Sequence, residues 1–384
     1  MLVELKHIQV RRTPASSLSE ADAVAWRALQ ATDPAFESPL MGPDFARVVG
    51  RHRADAEVAV FTGDDRPVGY LAYHRRPGGF ARPIGAPFAD YHGLVCAPEF
   101  ALSGADILGR LDLKAFRHNG LIDPLRRFGG AMTGRDGYLI RLNGDAEAYL
   151  DACYAARPKM FKNWRRLARR LGEQAPLRLS DAAEAEAFDQ LLRWKSAQFA
   201  RTGVMDVLRP AWASSLMREL FQTTQGSNRG LMLTLWSGDQ LVAGEFGIRS
   251  DRVFHPWIAA MNPEMATFSP GAAFTEAAIR AMPGLGLDVM DLGTGTEHSK
   301  RPFASETRPA AVGLTIVDGL AGARSRVSEG AWRLGGLDRL DAVGKIQRRL
   351  DHIAAVDPSM AGRARGVWEA VGAVRKRLGP EPTT

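Results

Sequence analysis

Two acidic residues and a cluster of cations late in the chain are the groups best placed to do chemistry. The strand-like run "GLDVMDLG" carries Asp291 on the same face as Leu287 and Val289 when side chains alternate with period two. A carboxylate at the end of an apolar face needs a partner or a task. It can orient a cation, bind an amine or accept a proton; equally it can cap its loop with Thr294 or pair with Lys300. Glu245 lies in "LVAGEFGI", with Phe246 and Ile248 on the opposite face, so it is either an outward solvated residue or a second carboxylate facing a cleft.

The stretch "MDLGTGTEHSKRPF" invites a phosphate-loop reading because Lys300 and Arg301 follow a Gly-x-Gly. It lacks the third glycine of a dinucleotide fingerprint, no apolar helix follows it, and the Walker spacing is absent. Lys300 and Arg301 are better read as side-chain anion contacts near a strand end. The neighbouring helix start offers the backbone amides. Ser269 suits an N-cap, Pro270 the first helical position, and Gly271, Ala272 and Ala273 leave the first turn without bulk. Such a turn either binds an anion or is an ordinary capped helix.

Elements that position these groups are legible around them. Residues 58–75, "VAVFTGDDRPVGYLAYHR", and 232–249, "MLTLWSGDQLVAGEFGIR", align without gaps at an offset of 175, matching Gly63 to Gly238, Asp64 to Asp239 and Gly69 to Gly244. Each reads as a β-hairpin with a tight turn. Each follows helical sequence and leads into more strand, which predicts two related α/β halves. Helices are predicted over "LSEADAVAWRALQ", "GPDFARVVGRH" and "AEAYLDACYAARPKMFKNWRRLARRLG", the last with seven Lys/Arg and no acid across Arg157–Arg170. That face is either solvated or anion-facing. The next helix, "SDAAEAEAFDQLLRWKSAQFARTG", has Asp181 as cap and Gly203 as stop. Lys195 falls inside its apolar stripe of Phe188, Leu191, Leu192 and Phe199, either snorkelling at the core margin or pointing into a site.

The chain's 384 residues suffice for two domains and an appendage, expected as residues 1–144, 145–319 and a helical tail 320–384. No apolar run approaches the roughly 18 residues that span a bilayer, and "MLVELKHIQVRR" lacks a signal peptide's apolar core, so a cytoplasmic protein is expected. Cys96 and Cys153 stand far apart without ligand-spaced partners, which argues against a disulfide framework or zinc site. The net charge is +7, and residues 320–384 supply 12 Lys/Arg against 7 Asp/Glu, or +5 of it. Leu334, Leu337, Leu340, Val343, Ile346, Leu350 and Ile353 there recur at helical spacing before Pro358. A second amphipathic stretch follows, so the tail either covers a domain face or lies on an anionic membrane surface.

Taken in order, "GAPFADYHGLV", "WKSAQFARTG", "LVAGEFGI", "FSPG", "MDLGTG" and then Lys300 with Phe303 resemble the GNAT-superfamily acyltransferases of the CelD-like cellulose-biosynthesis group, relatives of the Fem peptidoglycan aminoacyltransferases. The resemblance spans roughly residues 20–317 and rests on Trp194, Lys195, Gln198, Ser269, Pro270, Gly271, Asp291, Gly293, Gly295, Lys300 and Phe303. Ser299 departs from it, standing where the group often has an aromatic residue. It implies an α/β fold of two tandem GNAT-like domains with mixed sheets flanked by helices. The implied activity is acyl transfer from acetyl-CoA, without a metal, to an amine, with an amino sugar of an exopolysaccharide or holdfast-type adhesin as acceptor. On that reading Asp291 is the first candidate for orienting or deprotonating the amine, ahead of Glu245 and His255. Ser269, Gly271, Ala272 and Lys300 are the donor-phosphate candidates. Lys195, Gln198, Trp257, Asp90, Tyr91 and His92 are the acceptor-side candidates, although "ADYH" also fits a hydrogen-bonded turn.

Two other functions remain open on the sequence. A Fem-like transferase would take its donor from charged tRNA through the Arg157–Arg170 face. A non-enzymatic scaffold would use tail arginines such as Arg348, Arg349, Arg363 and Arg365 to grip anionic lipid or a phosphate-bearing regulator at the inner membrane face. No DNA partner is expected.

Overall fold

The computed structural model describes residues 8–129, 132–173, 175–202, 205–226, 228–295 and 300–319; the expected tail helices lie outside the described residues. Strands in the first part of the chain are β1 (Ile8–Pro14), β2 (Ala56–Gly63), β3 (Arg66–Arg76), β4 (Phe80–Pro83), β5 (His92–Cys96), β6 (Ala115–Ile122), β7 (Met132–Gly134) and β8 (Gly137–Arg141). The second part adds β9 (Leu177–Ser180), β10 (Arg229–Ser237), β11 (Gln240–Arg249), β12 (Val253–Met261), β13 (Val289–Thr294), β14 (Glu306–Arg308) and β15 (Ala311–Ile316). Helices α1 (Glu20–Gln30), α2 (Pro43–His52), α3 (Gly104–Arg110) and α4 (Ala146–Ala156) precede α5 (Pro158–Gly172), α6 (Ala185–Thr202), α7 (Ala211–Gln222) and α8 (Pro270–Ala281).

Both hairpins form where the apolar alternation places them. Asp64 and Asp65 turn the first with φ of 49° and 58°, the left-handed pair that a two-residue hairpin favours, and Gly238 begins the second turn at φ 56°. The helix starts follow local chemistry too: Ser19 caps α1 by accepting from the Asp22 amide at 3.1 Å, and Asp145 caps α4 by accepting from Glu147 and Ala148. One cap differs from expectation. Ser180 ends β9 and its hydroxyl accepts from the Ala182 amide, so residues 180–184 are used in leaving the strand and α6 starts at Ala185 rather than beside Asp181.

The strands build two mixed, mainly antiparallel sheets of similar organisation. The first runs β1-β2-β3-β4-β6-β15-β7, with β5 also joining β3 and β6; the second runs β9-β10-β11-β12-β13-β8-β14. In both, parallel pairing interrupts antiparallel neighbours at one place: β4 and β5 each beside β6 in the first, β12 beside β13 in the second. The sheets exchange strands across the 144/145 position, since β8 joins the second sheet and β15 the first. The counterpart of β12 is broken into β4 and β5, and the intervening residues 84–91 leave the first sheet carrying Phe88, Asp90 and Tyr91 toward the second.

One apolar cluster runs through both halves, bringing Phe45, Phe88 and Tyr91 together with Phe188, Phe246 and Ile258. Charged contacts rim that junction: Arg51 and His52 reach Glu219, and Arg141 and Arg308 both reach Glu37. The halves therefore share a core, and residues 84–91 are fixed by this packing together with the turn bonds that the Phe88 and Ala89 amides donate to the Gly85 carbonyl.

Candidate active site

Strands β12 and β13 pair only at Val253 with Val289 and Phe254 with Met290. Beyond those positions they diverge, and a cavity of about 800 Å³ occupies the gap. Its walls come from β11, β12, β13, α6, the first turn of α8 and residues 87–90 of the first half.

Glu245 projects from β11 onto this cavity. Its Oε2 is buried with no hydrogen-bond partner among the described residues. Burial raises its pKa to about 7, with Lys300 and Lys195 pulling the other way. The sequence left this residue open between solvent and cleft, and it lies on the cleft. Lys195 also faces the cavity: its ammonium donates to the Ala259 carbonyl at 3.2 Å and sits 5.4 Å from the Phe199 ring centre. Burial lowers its pKa and the Glu245 charge raises it. Lys300 also lines the cavity and donates to the Thr294 carbonyl at 2.6 Å. Its pKa is lowered by burial, against the pull of Asp90, Asp291 and Glu245.

Ser269, Gly271 and Ala272 line the same cavity at the start of α8. Ser269 does not cap the helix as expected. It ends a 3-10 turn over Pro263–Phe268 in the left-handed region, at φ 50°, and its hydroxyl makes no cap bond. The first turn consequently keeps its amides without a side-chain acceptor. Gln198 and Trp257 are on the wall as well, Trp257 packing against Phe45 and Phe88 with a buried, unpartnered indole nitrogen. Trp164, from the basic helix α5, completes the lining and stacks on Phe303 at 5.5 Å.

Asp291 takes a different position from the one anticipated for a base. Fully buried, it is absent from the cavity wall, and its oxygens are already engaged. The Tyr91 hydroxyl donates to Oδ1 at 3.0 Å, the Gly293 amide at 2.9 Å, and Arg308 lies 3.1 Å from Oδ2. Burial opposes its charge, yet His255, Arg308 and the Gly293 amide hold its pKa below the usual value. His255 is equally buried, 3.6 Å from Asp291 and 3.2 Å from Asp90. Burial disfavours its charge, but the two carboxylates raise its pKa to about 9. Of the three linked groups Asp291, His255 and Asp90, it is Asp90 that reaches the cavity, its other oxygen accepting from the Thr294 hydroxyl at 3.0 Å.

Glycines let this junction close. A Cβ at Gly137 would stand 1.7 Å from the Tyr91 hydroxyl, one at Gly120 1.7 Å from the Asp90 carbonyl, and one at Gly293 2.1 Å from the Asp90 carboxylate. Tyr91 is thus a buried support for Asp291 and does not line the cavity. His92 is displaced further: it sits in the first sheet, stacked 5.2 Å from His118 and beside Phe116, with neither ring nitrogen bonded. The Arg308 and Trp164 contributions were missed from sequence, and Thr294, read there as a partner of Asp291, donates to Asp90 instead. Only Trp164 left a local signal, lying one turn from Phe161 on the basic helix.

Among the described residues no group of three or more His, Cys, Asp or Glu is arranged to hold a metal, and no helix is long and apolar enough to cross a membrane.

Residues 158–301, which contain α5 to β13 and most of the cavity wall, match the family described as Acetyltransferase (GNAT) domain. No curated protein gives a match. Among solved structures the chain is similar to FemX (10% identity over 80% of this chain and 95% of that one, TM-score 0.47). It is also similar to a C-terminal DUF2156 domain from Agrobacterium fabrum (10%, 81% and 96%, TM-score 0.46). A third is a tandem GNAT protein from the clavulanic acid biosynthesis pathway (10%, 82% and 99%, TM-score 0.45). The match over residues 158–301 supports an acyl-transferring enzyme of the GNAT type.

Proposed function

We propose that the protein is an acyl-CoA-dependent N-acyltransferase whose acceptor is a primary amine on a sugar. The observation that carries this reading is Glu245: a carboxylate with a free buried oxygen, on the wall of a cavity that also holds Lys195, Lys300 and the first turn of α8. An ammonium must lose a proton before its nitrogen can attack a thioester carbonyl, and a carboxylate titrating near neutrality is suited to take it. Glu245 replaces Asp291 in that role, because Asp291 is buried off the cavity wall and already ion-paired with Arg308. Asp90, fixed by His255 and Thr294, supplies a second carboxylate to hold the incoming ammonium. Lys300 and the α8 amides suit the donor's phosphates.

The acceptor class, an amino sugar in exopolysaccharide or adhesin synthesis, is supported by the ordered motif set of the sequence, and acetyl-CoA is the first donor to test. Attachment of the basic tail to an anionic inner membrane face belongs to the same proposal; unchanged vesicle binding after deletion of residues 320–384 would remove it. The decisive experiment measures free thiol release from acetyl-CoA with and without glucosamine-type acceptors. Acceptor-dependent release supports the reading, and failure of every thioester to bind to folded protein overturns it. One observation favours a second donor. Lys159, Lys162, Arg165 and Arg166 are exposed on α5, the helix whose Trp164 lines the cavity, and such a face suits the phosphates of an aminoacyl-tRNA. Steeply salt-dependent tRNA binding without thioester binding would select it.

A further inference from the structure

A second cavity, of about 360 Å³, adjoins the first. Glu245, Gln198, Ala259, Met261, Ala266 and Gly271 line both, so the two spaces meet across a shared wall that contains the proposed base. The walls belonging to the second cavity alone are mostly apolar, half of them small residues, with Trp194 and Pro263 among the larger ones. Ala197, Ala243, Gly244 and Ala260 project nothing larger than a methyl group, and Phe274 closes one side. Arg201 is the only cation on its wall. Met261, on the shared wall, is 44% exposed, a degree of exposure matched or exceeded among large apolar side chains of the described residues only by Val24 and Phe80. Apolar surface concentrated in a concave site next to the reacting groups gains free energy only when an apolar ligand displaces its water.

An acetyl group brings a single methyl, too little to cover these walls. We propose that the second cavity receives the donor's acyl chain, and that this chain is a straight, apolar one longer than acetyl. The inference rests on the acyl-thioester reading above. The cavity then sets donor selectivity, while Lys300 and the α8 turn recognise what all coenzyme A thioesters share. The alanines on β11, β12 and α6 give the chain its room, and larger residues there would confine the donor to acetyl.

The test is calorimetric titration of the full-length protein with acetyl-, butyryl-, hexanoyl- and octanoyl-CoA. Affinity should rise by about fourfold for each added methylene until the cavity is filled. Ala197→Phe places a ring in the second cavity from an exposed helix position and touches the first cavity nowhere. It should abolish the gain with chain length and leave acetyl-CoA affinity as it was. Acetyl-CoA binding with no tightening along the series overturns the chain subsite and leaves the donor reading standing. Equal weakening of all four thioesters by Ala197→Phe also overturns the subsite. Failure of every thioester to bind overturns the donor reading itself, and the subsite with it.

Discussion

Asp90 Oδ2 and His255 Nε2 lie 3.2 Å apart, one from the first half of the chain and one from the second. This contact joins the segment that breaks the first sheet, residues 84–91, to the strand at which the second sheet opens. Behind it, Asp291, Arg308 and the Tyr91 hydroxyl continue the chain of charge into the protein interior. The arrangement gives the cavity two carboxylates in unlike surroundings, Glu245 with an unpaired oxygen and Asp90 with both oxygens held. Unlike surroundings are what allow one acid to carry a proton while another remains a fixed charge.

The buried imidazole makes stability fall in alkali. His255 has its pKa raised to about 9 in the folded protein, above the roughly 6.5 of an unfolded histidine. Its contribution is therefore fully present below pH 6.5 and is lost as pH rises through 9, amounting to about 3 kcal/mol. Thermal denaturation from pH 6 to 10 should show a decline that His255→Gln flattens, with a lower melting temperature for the variant at pH 7. Parallel curves for the two proteins would mean that the ring is not charged in the folded state.

Glu245 predicts an opposition between activity and stability. With its pKa raised to about 7, the folded protein holds a proton there that the unfolded chain releases near 4.5. Its ionisation therefore costs stability as pH rises from 4.5 to 7, and the cost persists above. Glu245→Gln should melt higher than the parent at pH 8 while kcat/KM falls by about 10²–10⁴. The parent's acidic limb in kcat/KM, centred near pH 7, should vanish with it. An unchanged limb would assign proton transfer to another group.

Local chemistry made the hairpins, the α1 and α4 starts and the Lys195 stripe legible in the sequence, because each is decided by residues a few positions apart. The exchange of β8 and β15 between sheets was not, since pairing such as Ala311 with Leu121 leaves no nearby pattern. The site divided along the same line. Alternation put Asp291 on the inward side with Val289, but Leu287 lies before the strand in another cluster, and Asp291 is held by Tyr91 and Arg308, far off in sequence. Glu245 could not be assigned to cleft or solvent until α6 and α8 were seen to flank it. Asp90 was named through "GAPFADYHGLV", but its setting was not: the glycines at 120 and 293 that approach its carbonyl and carboxylate have a purpose that appears once their neighbours are known.

Lys300 should govern donor affinity. Its ammonium is half-buried, anchored on the Thr294 carbonyl, and faces the cavity beside the α8 turn. A hydrogen bond to a charged partner contributes about 1.5–3 kcal/mol. Lys300→Ala should therefore raise the Kd for acetyl-CoA about tenfold or more and flatten its salt dependence, with the melting temperature little changed. An unaltered Kd would move the phosphates elsewhere on the cavity wall.

His92 predicts acid sensitivity without a catalytic effect. Burial pushes its pKa down to about 3, and His118, stacked on it, lies well below the ordinary value because it is buried and faces His92 and Arg117. Both rings stay neutral when folded and take up protons when unfolded, so stability is lost as pH falls below about 6.5 toward 3. Each histidine contributes a slope of about 1.4 kcal/mol per pH unit in that window. His92→Phe keeps a ring against Phe116, removes two unbonded nitrogens and deletes one titrating group. Urea denaturation between pH 4.5 and 7 should show its pH slope reduced by that amount, with kcat/KM unchanged because the ring lies away from the cavity. A loss of acceptor saturation in this variant would instead return His92 to the acceptor site that its place in "ADYH" first suggested.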